Sequence, residues 1–261
     1  MKTALLISTY NWPEALDLIL KSVLKQSQFP DEILIADDGS KEDTRSLIES
    51  YQERNAIPIK HIWQEDQGFR KSLILNKTIA NCSADYIIQI DGDCIIHKDF
   101  VKDHISRAEE GLFLYGSRVN IKKGSLSTIF KNKVHQFSFL SVYIGKRTRN
   151  LRIPFLRDRY KSSPLFSNKV RGCNISYWRK DFLEVNGYNE DMEGWGREDS
   201  ELILRILNYG IQGKRLRYGG ILYHIYHLES SNYNFEENDK IQKKTIQEKL
   251  VWCENGVSKY L

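Results

Sequence analysis

Short apolar runs alternate with stretches in which apolar residues recur every three or four positions throughout the first hundred residues. The runs predict buried strands, and the periodic stretches predict helices with one buried face. The predicted strands are residues 2–8, 32–36, 57–63 and 86–90, with helices starting near residues 13, 41 and 72. Alternating strands and helices require right-handed crossovers and a parallel sheet. We therefore predict an α/β fold with a mostly parallel central sheet flanked by helices.

Polar residues follow three of the predicted strands directly. Thr9-Tyr10-Asn11 follows the first strand, Asp37-Asp38-Gly39-Ser40 the second and Asp91-Gly92-Asp93 the fourth. In open α/β sheets, ligands bind where the carboxyl ends of parallel strands meet. Asp91 and Asp93 are hard oxygen ligands suited to Mn²⁺ or Mg²⁺, which also bind nucleotide phosphates. For one isolated Asp-x-Asp pair, a polar turn that closes the strand is the alternative interpretation.

Several common classes of site are excluded by motifs that the sequence lacks. It has no Gly-x-Gly-x-x-Gly turn and no Gly-Lys-Ser/Thr phosphate loop, which argues against a dinucleotide-binding fold or a P-loop nucleotidase. The four cysteines form no Cys-x-x-Cys pair, which fits free thiols better than a zinc site or disulfides. No apolar run is long enough for a bilayer span or a signal peptide, so we expect a cytosolic protein.

The net charge of +5 is distributed unevenly. Arg118 to Lys180 contains sixteen Lys or Arg and one acid, Asp158, and apolar residues are interleaved with the cations. One interpretation is an interfacial segment that binds the anionic lipids on the inner face of a membrane. The other is a basic loop that packs its aromatic residues on the domain and balances the acidic remainder. A nucleic-acid-binding module is a third possibility, disfavoured by the apolar residues.

The second half of the chain adds a short box at residues 194–199, Gly-Trp-Gly-Arg-Glu-Asp, which precedes a predicted helix. Residues 171–176 resemble a strand. A second strand-like run spans residues 218–226 and contains His224, and His227 follows it directly. We interpret residues 1–228 as one domain with a basic insert at about 118–170. Residues 229–261 form a polar C-terminal tail that we predict to be helical.

Four of these motifs, in this order, resemble a known family: Thr9-x-Asn11, the Asp37–Ser40 run, Asp91-Gly92-Asp93 and residues 195–199. The set resembles the nucleotide-sugar-dependent glycosyltransferases of the GT-A fold, family 2 type. Gly68-Phe69-Arg70 and the 194–199 box look like the branch related to chondroitin-polymerase modules and galactosyl- and N-acetylgalactosaminyltransferases. The resemblance covers roughly residues 3–228. It departs at Leu75-Asn76, where many relatives have Arg-Asn, and the basic insert has no counterpart that we assign.

The resemblance implies a donor site built on the ends of the strands. Asp93 would bind a divalent metal, and Asp91 would contact the metal or the ribose. His227, or less favourably His224, would complete the metal shell. Asp38 would accept from the imide N–H of uracil, and Arg70 would contact the diphosphate. Thr9, Tyr10 and Asn11 would shape the nucleotide-binding wall.

Acceptor activation requires a carboxylate that takes a proton from a sugar hydroxyl, and we assign that role to Asp199. Glu198 would orient acceptor hydroxyls, Trp195 would stack on a sugar ring, and Asn174 is a weaker acceptor contact. The resulting hypothesis is inverting, metal-dependent transfer of a hexose or N-acetylhexosamine from a UDP-sugar to a glycan or lipid-linked glycan, with no nucleic-acid partner. A nucleotidyltransferase is the enzymatic alternative, disfavoured because no Gly-rich, Arg- or Lys-bearing loop follows the first strand.

Overall fold

The computed structural model describes residues 1–228 and 234–261. The strands in these residues are β1 Thr3–Thr9, β2 Glu32–Asp37, β3 Ile59–Trp63, β4 Tyr86–Asp91, β5 Cys94–Ile96, β6 Leu112–Tyr115, β7 Ser117–Asn120, β8 Ser162–Ser163, β9 Ile175–Trp178, β10 Gln212–Arg215 and β11 Ile221–His224. The helices are α1 Pro13–Val23, α2 Glu42–Arg54, α3 Lys71–Ala80, α4 Phe100–Ile105, α5 Leu126–Lys131, α6 Pro154–Arg157, α7 Arg179–Glu184, α8 Glu198–Asn208 and α9 Phe235–Glu248.

The central sheet has eight strands in the order β3-β2-β1-β4-β9-β6-β10-β8. Strands β1 to β4 form the parallel half, and β10 pairs in parallel with β6. Strand β9 runs antiparallel to both β4 and β6 and joins the two parts. The predicted α/β fold with a mostly parallel sheet is confirmed.

Strands β1, β2 and β4 are buried on both faces, which explains their continuous apolar sequences. Successive side chains of a strand point to opposite faces. Accordingly, Leu5 and Ile7 of β1 join the core under α1, whereas Ala4 and Leu6 join the core under α3 and α8. The sheet thus fixes the height and register of every residue that follows a strand.

A second, three-stranded sheet has the order β5-β11-β7. Strand β11 runs antiparallel to β5 and parallel to β7. This small sheet brings the chain after Asp93 beside the chain before His227. It therefore links two segments that lie more than a hundred residues apart in sequence.

The structure differs from the sequence-based expectations in the second half. Residues 172–174 form a 3-10 turn rather than a strand, and the strand β9 begins only at Ile175. The basic insert is part of both sheets, because it contributes β7 and β8. The tail helix α9 packs along α8, while the predicted boundary at 228/229 adjoins residues 229–233, which lie outside the described residues. No helix in the described part of the chain is long and apolar enough to cross a bilayer.

Candidate active site

Strands β1, β2 and β4 end side by side at one edge of the central sheet. Thr9 pairs with Asp37 and Ser8 pairs with Asp91, so the polar residues after these strands meet there. We call this region the strand-end edge. Its predicted site residues are Thr9, Tyr10, Asn11, Asp38, Asp91 and Asp93.

The turn after β1 is held by hydrogen bonds to the turn after β2. The Asn11 N–H donates to Ser40 Oγ at 2.8 Å, and Asn11 Oδ1 accepts from the Lys41 N–H at 2.9 Å. The Tyr10 hydroxyl donates to Asp66 at 2.8 Å, and its ring is half exposed. The buried Thr9 hydroxyl has no hydrogen-bond partner among the described residues. A buried polar group without a partner is costly, so a ligand that pairs with it would be favoured.

Asp38 lies at the bottom of the strand-end edge and is only 7% exposed. It accepts from the Gln64 amide at 2.6 Å and from the Arg70 backbone N–H at 2.8 Å. Burial raises the pKa of this carboxyl group. The Arg70 guanidinium donates to the Glu65 carbonyl at 2.7 Å, so in this structure Arg70 supports Asp38 through its backbone.

Asp93, His224 and His227 form one compact group whose ligand atoms all lie within 4.8 Å of one another. The His227 Nε2 atom lies 2.9 Å from Asp93 Oδ2, and His224 Nε2 lies 3.3 Å from the same oxygen. The small sheet creates this arrangement, because His224 is the last residue of β11 and pairs with Cys94, the residue after Asp93. His227 follows three residues later. The structure brings both histidines to Asp93, whereas the sequence favoured His227.

The chemistry of this group fits a divalent metal. One carboxylate and two imidazoles give a mixed oxygen and nitrogen donor set, which first-row divalent ions can bind. Although burial alone would raise it, the hydrogen bonds from His224 and His227 hold the pKa of Asp93 well below its usual range. The hydrogen bond to Asp93 raises the pKa of His227 to about 9. These shifts show how strongly the carboxylate attracts positive charge at this position.

Among the described residues, Asp91 lies outside the metal group and contacts Ser8 and Lys71 instead. Its Oδ1 atom accepts from the Ser8 hydroxyl at 3.0 Å and lies 2.9 Å from Lys71 Nζ. The intervening Gly92 lies against β1, where a Cβ atom would be 2.6 Å from the Ser8 carbonyl. A glycine is therefore required between the two carboxylates.

Lys71 is a site residue that sequence reasoning missed. Besides Asp91, its ammonium lies 3.8 Å from Asp199 and 3.9 Å from Glu198. Although burial alone would lower it, the three carboxylates hold the pKa of Lys71 well above its usual value. The sequence contains one indication of this role. Lys71 is the first residue of α3, where a cation is unfavourable because it opposes the helix dipole, so a lysine at this position is unusual.

The loop at residues 194–199, which we call the acid loop, turns sharply before α8. Gly194, Gly196 and Arg197 all have positive φ angles. This conformation is strained for Arg197, because it has a side chain. The Gly196 N–H donates to Glu198 Oε2 at 3.0 Å. This turn places Glu198 and Asp199 in the first turn of α8, where carboxylates are favoured by the helix dipole.

Asp199 is held by two donors from distant parts of the chain. The Gly172 N–H donates to its Oδ2 atom at 3.1 Å, and the Tyr188 hydroxyl donates to Oδ1 at 3.1 Å. A Cβ atom at position 172 would lie 2.0 Å from the carboxylate oxygens, so only glycine permits this approach. The 3-10 turn that replaced the predicted strand thus positions Asp199.

The two neighbouring acids differ in their electrostatic surroundings. Burial, with the nearby Asp199, raises the pKa of Glu198 to about 7. Burial also raises the pKa of Asp199, but the Lys71 ammonium and the two hydrogen bonds oppose that shift. Because hydrogen bonds to the ionised form stabilise it, we expect Glu198 to take up a proton first as the pH falls.

Trp195 is 40% exposed and stacks on Phe235 of the tail helix, with ring centroids 6.5 Å apart. Helix α9 also fixes the backbone of the acid loop, because the buried Asn238 amide donates to the carbonyls of Glu193 and Gly196, each at 3.0 Å. The tail therefore supports the site, which sequence reasoning did not anticipate.

Asn174 lies inside the protein rather than at the site surface. It is 1% exposed, and its amide donates to the Ser117 and Gly220 carbonyls at 3.2 and 2.8 Å. Its Oδ1 atom lies 3.2 Å from His104 Nε2. With every polar atom engaged within the core, Asn174 has a structural role, and the expected acceptor contact is withdrawn.

Two known protein families match this chain, one over the first part and one over the second. Residues 4–170 match the family described as glycosyl transferase family 2, and residues 156–228 match the N-terminal domain of galactosyltransferase. The first match contains the strand-end edge, and the second contains the acid loop and both histidines.

Two similar curated proteins are enzymes of sugar transfer. The chain is 27% identical over 220 residues to validoxylamine A glucosyltransferase of Streptomyces hygroscopicus subsp. limoneus, covering 80% of this chain and 48% of that protein. It is 23% identical over 270 residues to chondroitin synthase of Pasteurella multocida strain Pm70, covering 95% of this chain and 27% of that protein. The chain thus spans half or less of the length of these relatives.

A similar solved structure is that of GalNAc-T7 with UDP, GalNAc and Mn²⁺. It has a TM-score of 0.67 at 16% identity, and the match covers 93% of this chain and 48% of that chain. This likeness confirms the GT-A fold. The match over residues 4–170, together with this fold, shows that the chain belongs to glycosyl transferase family 2.

Proposed function

We propose that the protein is an inverting, metal-dependent glycosyltransferase that moves a hexose or N-acetylhexosamine from a UDP-sugar to a glycan or lipid-linked glycan. The observation that carries the proposal is a continuous charged network across the site. Asp91 of the strand-end edge contacts Lys71, and Lys71 in turn faces Glu198 and Asp199 of the acid loop. Family membership favours this reaction over the nucleotidyltransferase and nucleic-acid-binding alternatives.

The donor half of the proposal rests on the strand-end edge. Asp93, His224 and His227 would hold Mn²⁺ or Mg²⁺, and the ion would supply positive charge to the diphosphate leaving group. The buried Asp38 carboxylate has lone pairs left to accept from the imide N–H of uracil. Thr9, with its unpartnered hydroxyl, and the exposed ring of Tyr10 would line the same nucleotide-binding wall. GalNAc-T7, whose fold is similar, was solved with UDP and Mn²⁺.

The acceptor half rests on Asp199. In a direct displacement, Asp199 accepts the proton of the acceptor hydroxyl while that oxygen bonds to the anomeric carbon. The anomeric C–O bond to the diphosphate breaks at the same time, and UDP leaves with the electron pair. The donors Gly172 and Tyr188 orient the carboxylate for this role. Glu198 and the exposed indole of Trp195 would bind the acceptor sugar.

The Lys71 ammonium partly neutralises the three carboxylates of the network. Three carboxylates around one ammonium leave a net negative charge, which favours proton uptake from an acceptor. At the same time, the ammonium stabilises the ionised form of Asp199. We infer that Lys71 is a positioning residue that keeps the base ionised near neutral pH.

The proposal is tested by release of UDP from a panel of UDP-sugars and GDP-sugars in the presence of Mn²⁺ or EDTA. We expect release from at least one UDP-sugar, dependence on the metal, and no release from GDP-sugars. A panel of oligosaccharide acceptors should then increase UDP release for the correct pair. Metal-independent release, or equal use of GDP-sugars, would contradict the donor assignment.

A further inference from the structure

A cavity of about 500 Å³ lies outside the transfer site, between the end of α1, the turn after β5 and the loop at residues 135–141. Four basic side chains line it: Lys25, His97, Lys98 and His135. Among the described residues that line the cavity, none is acidic. Asp99 lies 3.9 Å from the His97 imidazole but also faces the Arg152 guanidinium at 3.5 Å. Burial lowers the pKa of His97, so Lys25 and Lys98 supply the positive charge that the cavity offers to a small anion.

The loop beside this cavity exposes large apolar side chains. Phe139, Leu140 and Val142 are 43%, 76% and 64% exposed, and their neighbours Ser138 and Ser141 line the cavity. Clusters of exposed apolar residues on a soluble surface are costly and mark interaction sites. We call Phe139, Leu140 and Val142 the apolar tip.

Cations surround the apolar tip as well as the cavity. The Arg147 guanidinium donates to the Ser141 carbonyl at 3.2 Å, and the adjacent Lys146 side chain is exposed. Within residues 1–228 and 234–261, only four of the sixteen cations between Arg118 and Lys180 form ion pairs. These four are Lys133, Arg152, Arg157 and Lys180. The intramolecular contacts thus balance part of the charge and leave a basic surface.

We propose that the apolar tip and the cavity together form a docking site for an anionic phospholipid bilayer. The tip would enter the boundary between headgroups and acyl chains, and the cavity would receive a lipid phosphate. Apolar insertion combined with basic residues is the pair of signals that stable membrane association requires. A soluble phosphate would account for the basic cavity but not for Leu140 and Val142. A nucleic acid would leave these aliphatic side chains equally unexplained.

The docking site adjoins the transfer site through β11. Tyr223 lines the cavity, and the next residue, His224, lies beside Asp93. Because successive side chains of a strand point to opposite faces, the small sheet separates the cavity from the metal group. The proposal goes beyond the transfer reaction and does not require it. A docked enzyme would hold its site close to a lipid-linked acceptor.

Sedimentation with vesicles tests the proposal. The whole protein would be mixed with vesicles of phosphatidylcholine alone, or of phosphatidylcholine with phosphatidylglycerol, at a physiological salt concentration of about 0.15 M. We expect sedimentation only with the anionic vesicles. Leu140→Ser should weaken that binding about tenfold or more, the effect expected for one lost buried leucine. The matched control is Leu165→Ser, because Leu165 is also 76% exposed and lies in the same basic insert.

A second pair of variants tests the cavity. Replacing Lys25 and Lys98 by Gln should weaken binding to anionic vesicles several-fold, whereas replacing the exposed Lys161 and Lys169 by Gln should have a smaller effect. All variants should keep the thermal transition of the wild type, which shows that they fold. UDP release should also be unchanged, so that failure of transfer and failure of docking are separate results.

Three results would overturn the proposal. Wild-type protein that ignores anionic vesicles has no docking site. Equal losses for Leu140→Ser and Leu165→Ser would mean that the apolar tip is not the point of insertion. Binding of glycerol phosphate that depends on Lys25 and Lys98, without vesicle binding, would assign the cavity to a soluble phosphate.

Discussion

The strand-end edge and the acid loop contribute the two halves of the site in different ways. Thr9, Asp37 and Asp91 are the last residues of strands whose register is fixed by continuous ladders. Glu198 and Asp199 instead follow a strained turn and are positioned by residues from four other parts of the chain. Those residues are Gly172, Tyr188, Lys71 and Asn238.

The difference concerns what holds each half in place. The sheet fixes the geometry of the strand-end edge. We therefore expect a substitution there to alter only the contacts of the substituted residue. The acid loop includes Arg197 in a left-handed conformation, which costs about 1–3 kcal/mol. Contacts to α9 offset this cost, because Arg197 lies 2.8 Å from Asp239 and stacks over Phe235. We therefore expect the acid loop to be sensitive to changes far from the site.

The largest effect should come from the metal group of the strand-end edge. Asp93→Ala removes the carboxylate that both histidines share, so we expect no detectable sugar transfer. EDTA should abolish the activity of the wild type, and added Mn²⁺ should restore it. The control Asp43→Ala removes an exposed acid of α2 and should retain full activity. Full activity of Asp93→Ala in EDTA would remove the metal from the account.

Asp199→Asn tests the acid loop without altering its shape. We expect kcat to fall by roughly 10²–10⁴, the range for a missing general base, while the affinity for UDP stays unchanged. Steady-state kinetics and UDP titration measure the two quantities. Glu193→Gln, an exposed acid in the preceding turn, serves as the matched control. A fall in UDP affinity equal to the fall in kcat would mean that the two halves are not separate.

Lys71→Met tests the link between the two halves. The ammonium favours the ionised form of Asp199, so its removal should raise the pKa of that carboxyl group. The acidic limb of the pH profile of kcat should therefore move to higher pH by about one unit. The loss of activity should be larger at about pH 6 than at about pH 8. Lys102→Met removes an exposed cation of α4 and should leave the profile in place. An unshifted acidic limb would exclude Lys71 from this role.

The smallest effect should come from the tail. Asn238→Ala leaves the carbonyls of Glu193 and Gly196 without their donor, which costs about 1–3 kcal/mol in unfolding free energy. We expect a several-fold loss of kcat with little change in donor KM, since the acid loop alone is loosened. Denaturant unfolding and steady-state kinetics would measure both. Lys244→Gln, an exposed change on the same helix, should have no effect.

The strand-end edge was predictable because its signal is local. Apolar runs that end in Asp37-Asp38 and Asp91-Gly92-Asp93 specify strands, and parallel pairing then brings the acids together. The proximity of His224 and His227 to Asp93 was expected only from the family resemblance, since the small sheet that joins them is not visible in any local pattern.

The surroundings of the acid loop were less predictable because they depend on long-range packing. Gly172 was expected in a strand, yet it belongs to a 3-10 turn whose N–H reaches Asp199. Asn174 was expected to contact the acceptor, but it is buried and its amide donates to two backbone carbonyls of the core. The contact of α9 with the acid loop connects residues about forty positions apart. The spacing of apolar residues predicts helices and strands but does not predict such a contact.

The anomeric configuration of the first transferred sugar distinguishes direct displacement from a retaining mechanism. A single displacement with Asp199 as base inverts the anomeric centre, so an α-linked UDP-sugar must give a β-linked product. Proton NMR of the product of a short reaction measures the configuration. We expect the β product, and an α product would contradict both the assignment of Asp199 and the mechanism of direct displacement.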